Sequence, residues 1–183
     1  MNSATAYRTL VLGGVRSGKS RWAEEQFRAE EVVEYIATAA GTDDQDWALR
    51  VSAHRDRRPH SWLTRETLDL SAVLRADAHN PRLVDDLGNW VARTIDITLG
   101  WDGDLSGFQA AADELVQAWS NYTGRIVLVS NEVGYGVHPP TRAGRLFQDA
   151  LGRMNTELAA AADEVVLVVA GIPLWLKRPA ATR

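Results

Sequence analysis

The chain has 183 residues, a net charge of −4, 45% hydrophobic and 24% charged residues, the balance of an ordinary soluble protein long enough to bury a sizeable core. Its acidic balance leaves no general nucleic-acid footprint, so no nucleic-acid partner is expected. The absence of cysteine excludes disulfides, thiolate metal sites and cysteine nucleophiles, and fits a reducing cytoplasm.

Residues 1–7 read as a loose tail with no apolar stretch, so no signal peptide is expected. The first strand covers about 8–13. It runs into Gly13-Gly14-Val15-Arg16-Ser17-Gly18-Lys19-Ser20, which fits the P-loop pattern G-x-x-x-x-G-K-[ST], and a helix follows to about Glu30. The alternative is a Gly-rich turn that matches by chance, and the strand-before, helix-after context argues against it. In a P-loop the glycines let backbone N–H groups close around phosphate oxygens, and the helix N-terminus adds partial positive charge. Lys19 would reach the β- and γ-phosphates, and the Ser20 hydroxyl would ligate Mg²⁺.

A second strand covers 32–38, rich in β-formers, and its end Ala37-Thr38-Ala39 falls on the edge of an α/β sheet where ligands bind. A polar helix is expected from about Asp43 to Arg55, broken at Arg57-Arg58-Pro59. Trp62 to Glu66 reads as a short extended piece, and 67–78 as helical. Arg82 to Asp86 is a third strand ending in acids, followed by a helix over about 88–99, a loop over 100–107 and an amphipathic helix from Phe108 to Tyr122. Arg125 to Ser130 is a fourth strand. A polar, Gly-containing loop then leads to a long helix over Thr141 to Ala162. Glu164 to Ala170 is a fifth strand, and Leu174 to Lys177 a short last one before a loose end at 178–183. The longest apolar run, Val165 to Leu176, contains Gly171 and Pro173 and is too short to span a bilayer, so no transmembrane segment is expected. Strands alternating with helices predict a single α/β domain built on a mostly parallel sheet.

Asp85 ends an apolar strand, as a Walker-B carboxylate does when it holds Mg²⁺ directly or through water. Asp86 should point the other way, because side chains alternate along a strand; the plainer alternative is that one of the two is a loop acid, and Asp85 is favoured because it follows Leu83-Val84 immediately. His54 lies in the basic run Arg50 to Pro59. A neutral imidazole is a good nucleophile toward phosphorus, and nearby guanidiniums would bind phosphate oxygens. A histidine at a basic helix end is by default a solvated surface residue, so the residues alone leave both readings open. Arg55, Arg57 and Arg58 are a phosphate clamp or a solvated face. Glu66 accepts hydrogen bonds from a base or ribose, or caps the next helix. Asn131 and Glu132 orient a substrate hydroxyl or the metal, or simply form a turn. No His/Asp/Glu set has zinc spacing. The seven Trp residues are expected in the core and at interfaces.

The ordered set of these motifs resembles the bifunctional adenosylcobinamide kinase/adenosylcobinamide-phosphate guanylyltransferases of cobalamin biosynthesis. The likeness runs over nearly the whole chain: the P-loop with its internal Arg16, Tyr35-Ile36-Ala37-Thr38-Ala39, Arg50-Val51 with His54-Arg55 and Arg58-Pro59, Trp62, Glu66, Leu83-Val84-Asp85, Ser130-Asn131-Glu132-Val133-Gly134, Asp149, Asn155 and Gly171-Ile172-Pro173-Leu174. The resemblance implies a P-loop, RecA-like fold and a homotrimer. It implies phosphorylation of adenosylcobinamide by ATP or GTP, and then transfer of GMP from GTP, through a guanylyl-histidine, to adenosylcobinamide phosphate. The guanylylated histidine falls on His54. The nucleotide contacts fall on Gly13 to Ser20, Ala37 to Ala39, Arg55, Asp56, Arg57, Arg58, Glu66 and Asp85. The chain departs from the family's pattern at Asp86-Leu87-Gly88, where Cys-Leu-Thr is usual, at Val137-His138 and at Thr156. Rival expectations are another small-molecule P-loop kinase, a guanylyltransferase without its kinase step, and a nucleotide-binding regulator without turnover.

Overall fold

The computed structural model describes residues 6–28, 30–38, 58–76 and 80–178. The helix expected from about Asp43 to Arg55 lies outside the described residues, as do Ala39, His54, Arg55, Asp56 and Arg57. The described strands are β1 (Tyr7–Gly13), β2 (Glu34–Ala37), β3 (Leu63–Glu66), β4 (Arg82–Asp85), β5 (Arg125–Asn131), β6 (Glu164–Val169) and β7 (Ile172–Lys177). The described helices are α1 (Lys19–Glu24), α2 (Leu70–Arg75), α3 (Leu87–Ile97), α4 (Ser106–Ser120) and α5 (Arg142–Ala161), with a short 3₁₀ turn at Gly100–Asp102.

The strands form one sheet in the order β3-β2-β4-β5-β1-β6-β7. All neighbours are parallel except β6 and β7, which form an antiparallel pair at one edge. Helices flank the sheet, as the expected class requires. Alternation along the strands divides the core into two layers. Leu10, Leu12, Ile36, Val84, Ile126 and Leu128 meet α2, α3, α4 and α5 on one face. Val11, Tyr35, Leu83, Val127 and Val129 meet Ala23, Phe27 and Trp62 on the other.

Several boundaries differ from the sequence expectation. Tyr7, expected in the tail, pairs with Arg125 inside β1. Its neighbour Arg8 bonds the Asp163 carboxylate through its backbone N–H at 2.8 Å and its Nε at 3.1 Å. Arg178, also expected to be loose, stacks its guanidinium 4.1 Å from the Trp175 ring centroid. The first helix ends at Glu24 rather than Glu30, because Phe27 turns inward to pack edge-on against Trp62 at 5.6 Å. Trp62-to-Glu66 contains a true strand, β3, on the open edge of β2, with every side chain exposed. The β6–β7 turn uses left-handed backbone at Ala170 (φ 51°) and Gly171 (φ 79°).

The registers bring the candidate site together. Gly13 lies opposite Asn131, and Ala37 lies between Asp85 and Glu66. These residues all sit at the C-terminal ends of parallel strands, the edge where such sheets bind ligands.

Candidate active site

The P-loop leaves β1 at Gly13 and enters α1 at Lys19. Two of its residues need left-handed backbone, Arg16 at φ 58° and Gly18 at φ 92°. Glycine meets this need without strain, and Gly18 has a second reason to lack a side chain. A Cβ there would lie 3.1 Å from Gly171 Cα, in the β6–β7 turn. That turn supports the loop directly, since the Gly171 N–H donates to the Ser17 carbonyl at 2.7 Å. A Cβ on Gly13 would collide with Ser17 Oγ and come within 2.8 Å of the Val168 carbonyl oxygen. The loop therefore packs against the sheet without room for side chains at either glycine. Gly14, Val15 and Arg16 are exposed, while Lys19 is buried.

Ser20 follows on the first turn of α1, and its hydroxyl donates to Asp85 Oδ1 at 3.2 Å. The other Asp85 oxygen, Oδ2, accepts the Tyr35 phenol at 3.0 Å. Leu83 and Asp85 are two residues apart on β4 and share a face, the face on which Tyr35 also stands. Burial, and then the Asp85 carboxylate, push the Tyr35 phenol above its ordinary range. The Arg58 guanidinium carbon sits 3.6 Å from the Tyr35 ring centroid, a close cation–π contact.

Asp86 behaves differently from its neighbour. It lies past the end of β4 and caps α3, its Oδ1 accepting the Asn89 N–H at 2.8 Å. Its Oδ2 accepts Asn131 Nδ2 at 3.5 Å. Burial first, and the adjacent Asp85 charge second, raise its carboxyl to about 6, against the pull of the Asn89 N–H and the Lys19 ammonium. The expectation that Asp86 turns from the metal position is consistent with these partners. Its reason is helix capping rather than strand alternation.

Behind Asp86 lies a buried polar network. The fully buried Ser130 hydroxyl donates to Asn155 Oδ1 at 2.6 Å, and Asn155 Nδ2 donates to the Asn131 carbonyl at 3.0 Å. The fully buried Thr38 hydroxyl donates to the Asp86 carbonyl at 2.6 Å. The Glu132 N–H donates to the Gly13 carbonyl at 3.0 Å, so this acid enters beside the P-loop, and partial burial raises its carboxyl.

The structure thus brings Gly13 to Ser20, Ala37, Thr38, Glu66 and Asp85 to one sheet edge, with Arg58 seated on Tyr35. Tyr35 is legible in the sequence as a β-former and as part of a motif, and Asn155 only as part of a motif, neither with a role. Nothing in their spacing points to Asp85 or Ser130, because both contacts cross between strands or between a helix and the sheet.

Among the described residues no cluster of three His, Cys, Asp or Glu side chains could hold a metal. The Ser20 hydroxyl and Asp85 carboxylate are nonetheless a sound donor pair for Mg²⁺. That ion takes hard oxygens, accepts one or two protein groups and completes its shell with waters and substrate phosphates. Among the described residues, no helix is long and apolar enough to cross a membrane.

The profile of the cobinamide kinase / cobinamide phosphate guanyltransferase family matches residues 9–176. The chain is 39% identical over 179 residues to the bifunctional adenosylcobalamin biosynthesis protein CobU of Salmonella typhimurium, covering 92% of this chain and 98% of that one. It is 40% identical over 175 residues to the corresponding CobP protein of Pseudomonas aeruginosa, covering 93% and 97% of the two chains. Among solved structures it is similar to a prototypical ATPase from the type III secretion system of pathogenic bacteria, with a TM-score of 0.53 and 12% identity over 89% of this chain and 51% of that one. At that identity the likeness shows the fold alone.

Proposed function

Because the chain belongs to the cobinamide kinase / cobinamide phosphate guanyltransferase family, we propose that it makes adenosylcobinamide-GDP in two nucleotide-dependent steps, working as one domain over residues 1–183. The observation that carries this reading is the convergence of a complete P-loop with the Ser20–Asp85 pair at one sheet edge, in a chain matched by the family over almost its whole length.

In the kinase step the hydroxyl oxygen of adenosylcobinamide attacks the γ-phosphorus of ATP or GTP. The bond from that phosphorus to the β-bridging oxygen breaks, the nucleoside diphosphate leaves, and the hydroxyl proton is lost. The amides of residues 14–19 hold the phosphate oxygens, and the Lys19 ammonium spreads the charge that builds on them. Ser20 and Asp85 would hold Mg²⁺, which supplies charge neutralisation at the phosphates when bound. Glu132 enters beside Gly13, with its carboxyl raised by burial, and is placed to receive a proton at this edge.

In the transferase step an imidazole nitrogen of His54 attacks the α-phosphorus of GTP. The α–β bridging P–O bond breaks and pyrophosphate leaves, with GMP held on the ring through a P–N bond. A phosphate oxygen of adenosylcobinamide phosphate then attacks the same phosphorus, the P–N bond breaks, and His54 is released. Arg55, Asp56, Arg57 and Arg58 belong to the same basic run as His54 and are assigned to the nucleotide. So are Ala37, Thr38 and Glu66 at the strand ends, where Thr38 acts by fixing the Asp86 backbone, and Ala39, which follows Thr38 in sequence. We further propose a cytoplasmic homotrimer, which sedimentation at several protein concentrations would test.

The two-step reading is tested by supplying Mg²⁺ and GTP with adenosylcobinamide, and in a second reaction with adenosylcobinamide phosphate, and following products by mass. Adenosylcobinamide-GDP from both starting materials is expected. Product only from the phosphate would leave a transferase without its kinase step. Phosphorylation alone would leave a small-molecule kinase, and no product from folded, GTP-binding protein would leave a nucleotide-binding regulator.

A further inference from the structure

The Asp85 carboxylate has two oxygens with different partners, and this asymmetry reaches beyond the P-loop itself. Oδ1 faces the Ser20 hydroxyl at 3.2 Å, whereas Oδ2 is taken by the Tyr35 phenol at 3.0 Å. Tyr35 is 4% exposed. Its ring is flanked by Arg58, 3.6 Å from its centroid, and by Trp62, tilted with ring centroids 6.4 Å apart, and its backbone pairs with both β3 and β4. A buried ring held in this way keeps its phenol oxygen at a fixed place beside Asp85 Oδ2. Resting on the assignment of Ser20 and Asp85 to the metal, we propose that Tyr35 is a positioning residue for the metal site. Its O–H holds Asp85 Oδ2 so that Oδ1 is presented beside the Ser20 hydroxyl, toward the bound nucleotide's divalent cation.

The physical basis is that of outer-shell partners in general. A ligating carboxylate that is free to rotate must be ordered when the ion arrives, whereas one already held by a hydrogen bond binds without that cost. Tyr35 touches neither phosphate nor corrinoid in this account, and it acts only through Asp85. Arg58 adds a link in sequence, because it follows the proposed nucleophile His54 by four residues. The basic run therefore enters the described structure on the ring that orients the metal ligand.

The test uses the full chain, the Tyr35→Phe variant, which keeps the ring and its packing, the Asp85→Asn variant and the double variant. Mn²⁺ is titrated into each protein saturated with GDP, and bound Mn²⁺ is read by electron paramagnetic resonance. GDP affinity is measured separately in EDTA, and thermal melts report folding. Tyr35→Phe is expected to weaken Mn²⁺ binding by about 10- to 100-fold, the range of outer-shell partners, with metal-free GDP affinity unchanged. The double variant is expected to lose no more metal affinity than Asp85→Asn alone. Mn²⁺ affinity of Tyr35→Phe within about twofold of wild type, or an equal loss of GDP affinity in EDTA, overturns the positioning role. If Tyr35→Phe does not fold, the comparison passes to the temperature-matched Trp62→Phe variant, which loosens the ring from its other neighbour and must also weaken Mn²⁺ binding with metal-free GDP affinity unchanged. Unchanged Mn²⁺ binding in Asp85→Asn would instead overturn the metal-site assignment itself.

Discussion

Replacing Asp86 with Asn should stabilise the protein at neutral pH. Asp86 caps α3 and is buried beside a second carboxylate, so its folded-state carboxyl is raised to about 6 from the ordinary 3.8. Between those two values the folded chain holds a proton that the unfolded chain has released. Stability therefore falls as pH rises through this window, and above it the ionised Asp86 costs the fold about 3 kcal/mol, roughly two pKa units at 1.36 kcal/mol each. Asparagine is as good an N-cap, so the Asn89 N–H keeps an acceptor while the charge is removed. Asn131 then faces an amide instead of a carboxylate, which offsets part of the gain and leaves about 1–3 kcal/mol at pH 7. The assay is urea unfolding of wild type and Asp86→Asn from pH 4 to pH 8. The gain should be small at pH 4 and grow through pH 5 and 6 to its full value by pH 7. A difference that does not change with pH, or a variant less stable than wild type at pH 7, would refute the argument.

Asn155→Leu should cost about 2–4 kcal/mol, because it leaves the buried Ser130 hydroxyl and the Asn131 carbonyl without the partners they now have. The Ser130→Ala/Asn155→Leu double variant should cost less than the sum of the two singles, and strict additivity in denaturant unfolding would show that the network is not coupled. Gly13→Ala places a methyl group against Ser17 and the Val168 carbonyl, so binding of a fluorescent GTP analogue should fall by at least about tenfold, whereas unchanged affinity would mean the loop tolerates displacement. Arg82→Leu removes the 2.7 Å pair with Glu34 and the bond to the Val73 carbonyl. Glu34 keeps Arg65 at 3.6 Å and some exposure to water, so the loss in urea unfolding should be about 2–3 kcal/mol rather than the full cost of an orphaned buried charge.

Much of this architecture is legible in the sequence because it follows from local pattern. The apolar runs of β1, β4, β5 and β6 are strands buried on both faces, and the P-loop signature lies where strand meets helix. Asp85 could be preferred as the metal carboxylate from its place at the end of an apolar run. What the sequence conceals arises between elements. Leu63–Glu66 is legible as a short extended piece, but its pairing with β2, which makes it a strand of the sheet, is not. The first helix stops short because Phe27 is recruited to Trp62 and to the Arg125 guanidinium. Asp86 looks like the last residue of a strand, yet its carboxylate is set by the helix that begins after it. The Tyr35–Asp85 contact depends on the register of β2 against β4, which no local pattern specifies.

The central claim is that the chain carries a covalent guanylyl-histidine on His54, and one labelling experiment tests it most directly. Wild type and His54→Ala are incubated with Mg²⁺ and GTP labelled at the α-phosphate, then resolved under denaturing conditions and weighed intact. The account predicts an acid-labile GMP adduct on wild type alone, with pyrophosphate released and with discharge on addition of adenosylcobinamide phosphate. An equal adduct on His54→Ala, or none on folded wild type that binds GTP, would contradict it.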